Sequence, residues 1–308
     1  MDLEQAEYIV KESIYASSEV KQYFKEEVIP IYKEVLLRIP PLESLDKTGG
    51  LYAFRKGDYD AGIHRVYNKA LHLPNVDAKD NDLLRSLDHD ELSQINSDWN
   101  DKGIVVIDNI LSQSTLSSIH SILLESTIFY QTKMPHKFGG YAGSYIDDGM
   151  HSKILLQLAF KLKKYMPNIM KQHDLKYMWA YKYDERYNGI QTHADQAAVN
   201  INIWLTPDDA NLDKESGGLV IFTAKPPADW NFEMYNMNTE MVDELLLKPT
   251  NYANVTVPYK QNRAVIFDSA LFHHTDKFRF RKGYKNRRIN LTLLYGDMQL
   301  NTHTKTEL

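Results

Sequence analysis

Over the first ninety residues the apolar positions return at helical spacing. Ile9, Ile14, Val20, Tyr23, Phe24, Val28, Ile31 and Val35 recur between Glu and Lys residues, which predicts helix across 1–39. Pro40-Pro41 ends that segment, because proline lacks an amide donor and restricts the residue before it. A helical patch over 59–73, within GDYDAGIHRVYNKALHLP, reads as two packed helices. Residues 75–90 are polar and Asp-rich, as expected of a boundary or surface loop. The period then changes. GIVVIDNIL (103–111) is β-branched and predicts a strand. Ser112 or Ser114 is placed to cap the helix that follows, LSSIHSILLES (116–126). FGGYAGSYIDDGM (138–150) is loop or short strand, and ILLQLAFKLKKYM (154–166) an amphipathic helix. From 176 onward short apolar runs alternate with turn signals. Strands are predicted at 177–185, 190–196, 199–207, 217–224, 254–259, 263–269 and 287–296. The expectation is α+β: an antiparallel jelly-roll or cupin-like barrel flanked by helices. It comprises a helical N-terminal region (1–90) and a barrel domain (91–308). One interruption, 225–253, carries Trp230, Phe232 and Tyr235 and is long enough to be a lid over a site.

Composition narrows the classes of function. Apolar residues make up 43% of the 308, enough for a sizeable core, and cysteine is absent. That excludes disulfide scaffolds, Cys-ligated metals and thiol nucleophiles. The 36 basic and 41 acidic side chains give a net charge of −5, so binding of nucleic acid by bulk attraction is not expected. No apolar run approaches the length of a membrane span and no secretory signal is evident, so the cytoplasm is the expected compartment.

The chemistry lies in the strand-rich half. His193-Ala194-Asp195 sits on a predicted strand, where residues two apart share a face. With a histidine from a neighbouring strand, such as His273, the pair makes a 2-His-1-carboxylate set. That set holds Fe(II) and keeps coordination positions open. A second such spacing, His274-Thr275-Asp276, has only His303 downstream, in a polar tail without strand pattern. On the last strand Arg288, Asn290 and Thr292 share a face opposite Ile289, Leu291 and Leu293. An arginine inside a barrel needs an anionic partner. A dicarboxylate co-substrate would be one, a structural salt bridge another. Asn200, Asn202 and Trp204 also share a face and would line the cavity. KFRFRKGYKNRR (277–288) holds seven basic residues in twelve. It reads either as a solvated turn or as an attractor for an anionic substrate.

Taken together, HxD, the LFHxT run around His273 and the terminal RxNLT strand resemble the Fe(II)/2-oxoglutarate-dependent dioxygenases. The lead-in DWNDKGIVVIDNILSQSTLSSI (98–119) resembles the phytanoyl-CoA-hydroxylase-like and prolyl-hydroxylase-like members. The resemblance spans about 98–296 and implies a double-stranded β-helix. It implies His193, Asp195 and His273 as iron ligands, with His273 preferred to His274 because it directly follows the FDSALF strand. It implies Arg288, helped by Asn290, on the distal carboxylate of 2-oxoglutarate. Arg287, the competitor, has the opposite face parity. Tyr183 occupies a strand position where the family often places a tyrosine on 2-oxoglutarate; otherwise it is a core tyrosine. The implied activity is hydroxylation of a small-molecule substrate with release of succinate and CO2. Asn202 and Trp204, from their shared strand face, and Trp230, from the 225–253 segment, are candidate substrate contacts. Alternatives are a hydroxylase of protein or peptide side chains and, in a different class, a non-catalytic cupin-like binding protein.

Overall fold

The strands of the second half pair into two facing antiparallel sheets in a computed structural model that describes residues 1–45, 51–76, 83–133, 139–170, 173–184, 186 and 189–298. His303 and residues 77–82 of the polar boundary lie outside the described residues. The strands are β1 (Ile104–Ile107), β2 (Gln131–Lys133), β3 (Tyr141–Tyr145), β4 (Leu175–Tyr183), β5 (Val199–Trp204), β6 (Leu219–Phe222), β7 (Asn254–Val257), β8 (Ala264–Asp268), β9 (His273–Thr275) and β10 (Ile289–Tyr295). The large sheet runs β1-β8-β5-β10-β4-β3-β2 and the small one β7-β6-β9. A single bridge between His193 and His273 adds a fourth line to the small sheet. From β4 onward the strand order is that of a double-stranded β-helix: β4, β5, β8 and β10 lie in one sheet and the His193 bridge, β6, β7 and β9 in the other, with β6 and β7 consecutive in the small sheet and the chain otherwise crossing between sheets.

Alternation along the large sheet separates two buried faces. Ile289, Leu291 and Leu293 of β10 join Ile201, Ile203, Ile266, Met178 and Ala180 in one apolar cluster. Helices Gln113–Glu125 and Lys153–Tyr165 cover that face with Leu116, Ile119, Leu155, Leu158 and Leu162. Ser112 caps the first of them, its side chain accepting from Thr115 N. The other face looks toward the small sheet and encloses the cavity.

The N-terminal region is less regular than its apolar period predicts. Helix α1 (Asp2–Glu12) ends at Ser13, and a Ser17-capped α2 (Ser18–Tyr23) runs through a π-helical turn into α3 (Ile29–Leu36). The break has a partner: Ser13 Oγ donates to Glu125 Oε2 at 2.5 Å while its oxygen accepts from Ala16 N at 2.8 Å. The two packed helices read over 59–73 are present but short, Lys56–Asp60 and Ile63–Val66, and from Tyr67 to residue 73 the chain has no regular structure. These helices form their own apolar cluster around Ile9, Phe24, Val28 and Ile63. They also dock on the barrel: Gln5 Nε2 donates to Leu124 O and Ser126 O, and Glu125, buried, accepts from Ile14 N and lies 3.1 Å from His72 Nε2.

Candidate metal and co-substrate site

Three side chains meet at the open end between the sheets. His193 Nε2 lies 3.6 Å from Asp195 Oδ1, His273 Nε2 lies 3.5 Å from Asp195 Oδ2, and the ligand atoms of all three fall within 4.8 Å of one another. Among the described residues this is the one group of three or more His, Cys, Asp or Glu side chains with metal-holding geometry. The predicted strand over 190–196 is absent. His193 exchanges both backbone bonds with His273 (3.1 and 2.9 Å), and the chain then leaves the sheet. Asp195 N turns to Ser269 O and Ala197 N closes back on Asp195 O. Convergence of His193 with Asp195 therefore comes from a turn, not from strand alternation. His273, on β9, faces the cavity, and its neighbour His274 points away onto Phe222.

The imidazoles are oriented for metal. His193 Nδ1 lies 2.8 Å from Gln191 O and His273 Nδ1 lies 3.0 Å from Leu271 O, so each ring donates backward from Nδ1 and presents a lone pair at Nε2. Burial, and then the neighbouring His273, lower the pKa of His193 to about 4, which keeps the ring neutral. Burial pushes the Asp195 carboxyl up. Its polar neighbours His273, His193 and Asn200 outweigh that and hold it below its ordinary value.

Behind the carboxylate stands a line of buried amides. Asn200 Nδ2 donates to Asp195 Oδ2 at 2.7 Å, and Asn202 Nδ2 donates to Asn200 Oδ1 at 2.7 Å. Asn202 Oδ1 accepts from Asn290 Nδ2 at 3.1 Å and from Thr292 Oγ1 at 3.0 Å. Asn290 Oδ1 has no partner. Asn200 is thus a support for Asp195, not a lining residue, whereas Asn202, Asn290 and Thr292 line the cavity.

Arg288 lies deeper, 2% exposed. Its Nε donates to Gly217 O at 2.8 Å and one terminal nitrogen to Gly218 O at 3.2 Å, while the other, Nη1, is buried without a partner. Gly218 itself is packed too closely for a side chain: a Cβ there would lie 1.9 Å from Val257 O and 2.7 Å from the Trp204 ring. Tyr183 stacks its ring 4.6 Å from the guanidinium carbon, and its hydroxyl interacts with Thr275 and Arg288. Arg287 faces the other way and pairs with Glu4 at 2.7 Å and Asp184 at 3.6 Å.

Two expected substrate contacts fall outside the cavity wall. Trp204 is wholly buried behind Arg288, stacked on Tyr259, because the small sheet closes over its side of β5. Trp230 packs against the cluster of Phe222, Tyr235 and Phe272, and the 225–253 segment reaches the cavity through Phe232, Asn236, Met237 and Thr239 instead. Asn236 Nδ2 donates to Ala194 O at 2.9 Å and so ties that segment to the metal-binding turn. Of the basic run 277–288, Arg288 alone lines the cavity. Arg281 and Lys285 pair with Asp209 and Glu12 at the surface, and the buried Arg287 pairs with Glu4. The aromatic wall from β3 and β4 was readable only as strand; which of its faces meets the cavity depends on register.

No family model and no curated protein matches the sequence. Among solved structures the chain is similar to the non-heme α-ketoglutarate-dependent epimerase SnoN from nogalamycin biosynthesis (14% identity, covering 68% of this chain and 84% of that one, TM-score 0.49). It is also similar to a Pseudomonas putida prolyl-4-hydroxylase (11%, 68% and 100%, TM-score 0.46). A third is HygX from Streptomyces hygroscopicus with nickel and 2-oxoglutarate bound (14%, 69% and 88%, TM-score 0.47). By strand order the fold is a double-stranded β-helix, with the His193, Asp195 and His273 group at one end of it.

Proposed function

We propose that the protein is an Fe(II)- and 2-oxoglutarate-dependent oxygenase that hydroxylates a small molecule. His193, Asp195 and His273 would hold the iron, and Arg288 would hold the distal carboxylate of 2-oxoglutarate. The observation that carries the reading is the pairing of a preorganised donor set with an orphan cation in one cavity. Two neutral imidazoles and one carboxylate are the donor set of non-haem Fe(II) oxygenases. A buried, unpartnered guanidinium N–H is costly unless an anion takes it, and a carboxylate is the natural acceptor of that fork. Asn290 and Tyr183 flank the same pocket. The cavity, about 550 Å³, is of the size that takes a co-substrate together with a small molecule.

When bound, iron and 2-oxoglutarate supply the oxidising power, consuming O2 and releasing succinate and CO2. The chain's own part is positional. Gln191 O and Leu271 O fix the tautomers of the two imidazoles. Asn200 holds Asp195 so that one oxygen is bound from behind. Gly217 and Gly218 aim the guanidinium. Tyr183, whose pKa burial raises against the opposing pull of Arg288, remains a neutral hydroxyl beside it. Anaerobic titration of metal-free protein with Fe(II) and 2-oxoglutarate is the test. A visible metal-to-ligand charge-transfer band requiring both additions is expected. Its absence, with the protein folded, would leave only a cupin-like binding protein.

A further inference from the structure

The outer half of the cavity has chemistry that neither iron nor 2-oxoglutarate uses. Alternate side chains of β4, Tyr177, Trp179, Tyr181 and Tyr183, all face it. Exposure falls from 44% at Tyr177 to 6% at Tyr181 and 2% at Tyr183, so the ladder descends from the rim to Arg288. The rings of Trp179 and Tyr181 are 5.8 Å apart and inclined by only 29°. On β3, Tyr145 stands beside them, its hydroxyl 2.8 Å from that of Tyr181. Gly143 leaves the room for this: a Cβ there would lie 2.9 Å from the Tyr181 ring. Phe232 and Met237, 47% and 52% exposed, come from the 225–253 segment and also line the cavity.

We propose that this outer cleft binds the flat aromatic ring system of a small-molecule substrate, stacked on Trp179 and Tyr181, with the Tyr145–Tyr181 hydroxyl pair meeting a ring hydroxyl or carbonyl. Faces of neighbouring rings attract an aromatic guest in offset or tilted geometry beyond what area burial gives. An ammonium guest would need an acid nearby. Among the described residues the one carboxylate lining the cavity is Asp195, committed to the histidines, and Lys133 at the rim would repel a cation. A saturated chain would be as well served by Leu or Ile, yet four consecutive facing positions of β4 are aromatic. The inference rests on the oxygenase reading only for what happens to the guest, not for its binding.

Isothermal titration calorimetry of the full chain with 2-naphthol and with decahydro-2-naphthol, the saturated form of the same skeleton, tests it. The arene is expected to bind about tenfold more tightly. That preference should vanish in Trp179→Ala and persist in Trp179→Phe, which keeps a ring and guards against a folding defect. Equal affinity for the two probes, no binding of either, or an undiminished preference in Trp179→Ala would overturn the proposal. His193→Ala should keep the arene preference while losing the Fe(II)-dependent band. A missing band with the preference intact therefore counts against the oxygenase reading alone.

Discussion

The two faces of strand β10 are equally buried and chemically opposite. Ile289, Leu291 and Leu293 pack under helices, while Arg288, Asn290 and Thr292 face the cavity, and every one of the six is 3% exposed or less. Burial therefore cannot distinguish core from site here. Satisfaction can. On the cavity face Arg288 Nη1 and Asn290 Oδ1 have no partner. On the helix face the one cation in line with β10, Lys182 opposite Ile289, meets ring faces instead, 3.7 Å from Phe129, and donates to Tyr284 Oη at 2.8 Å. Burial drives the Lys182 pKa well below its usual value, so that site favours the neutral amine. Arg288 has no such escape, since a guanidinium stays charged in proteins. A buried arginine beside open volume thus implies an anion, whereas a buried lysine among rings can shift toward neutrality instead.

If the faces divide labour in this way, substitutions on each should move different observables. The largest effect belongs to Asp195→Ala. Fe(II) affinity should fall by about 1,000-fold, beyond the 10–100-fold typical of outer-shell partners, with the denaturation midpoint nearly unchanged. Leu291→Ala, on the opposite face, should reverse that pattern. It removes a fully buried side chain at about 3 kcal/mol in urea unfolding. The 2-oxoglutarate dissociation constant, measured calorimetrically, should stay within roughly twofold because no cavity contact is lost. Should Leu291→Ala weaken co-substrate binding as strongly as stability, the division fails. Arg288→Leu should weaken 2-oxoglutarate binding by about 2–3 kcal/mol, roughly 30–150-fold, while Fe(II) alone is retained. Arg288→Lys should recover only part, because an ammonium cannot keep both glycine carbonyls and a carboxylate in one fork. Asn200→Ala is the finer probe. Asp195 loses the amide that orients it, and about tenfold in Fe(II) affinity should go with it, leaving the 2-oxoglutarate site intact.

The same two faces explain what was legible in the sequence. Period-2 alternation places Arg288, Asn290 and Thr292 together without any structure, because a strand has only two faces. His273 is similarly readable beside an apolar strand. Asp195 converges with His193 for a reason alternation does not supply: the turn closed by Ala197 N on Asp195 O is set by long-range pairing with Ser269 and His273. Trp204 follows alternation onto the cavity side, yet the small sheet buries it behind Arg288, which no local pattern reveals. The aromatic ladder of β4 has the right period, but which face meets the cavity depends on register against β10 and β3. The N-terminal apolar period is real, and Ser13 interrupts it through a tertiary bond to Glu125, 112 residues away.

The smallest expected effect concerns protonation on the helix face. His120, on helix Gln113–Glu125, has an enclosed Nε2 with no partner, and burial, then the nearby Lys182, lower its pKa from 6.5 to about 4. The unfolded chain therefore binds a proton that the folded chain refuses between those values. Stability from this group is full above about pH 6.5, and declines as pH falls toward 4, below which both states are protonated. A shift of that size would be worth about 3 kcal/mol undamped; because part of the ring reaches the surface, about 1 kcal/mol is expected. Urea midpoints measured from pH 7 to pH 4 should drop for the native chain and drop less for His120→Leu. An identical slope in the two would mean that the helix face admits a proton as readily as the cavity face admits an ion, and the contrast between Lys182 and Arg288 would lose its physical basis.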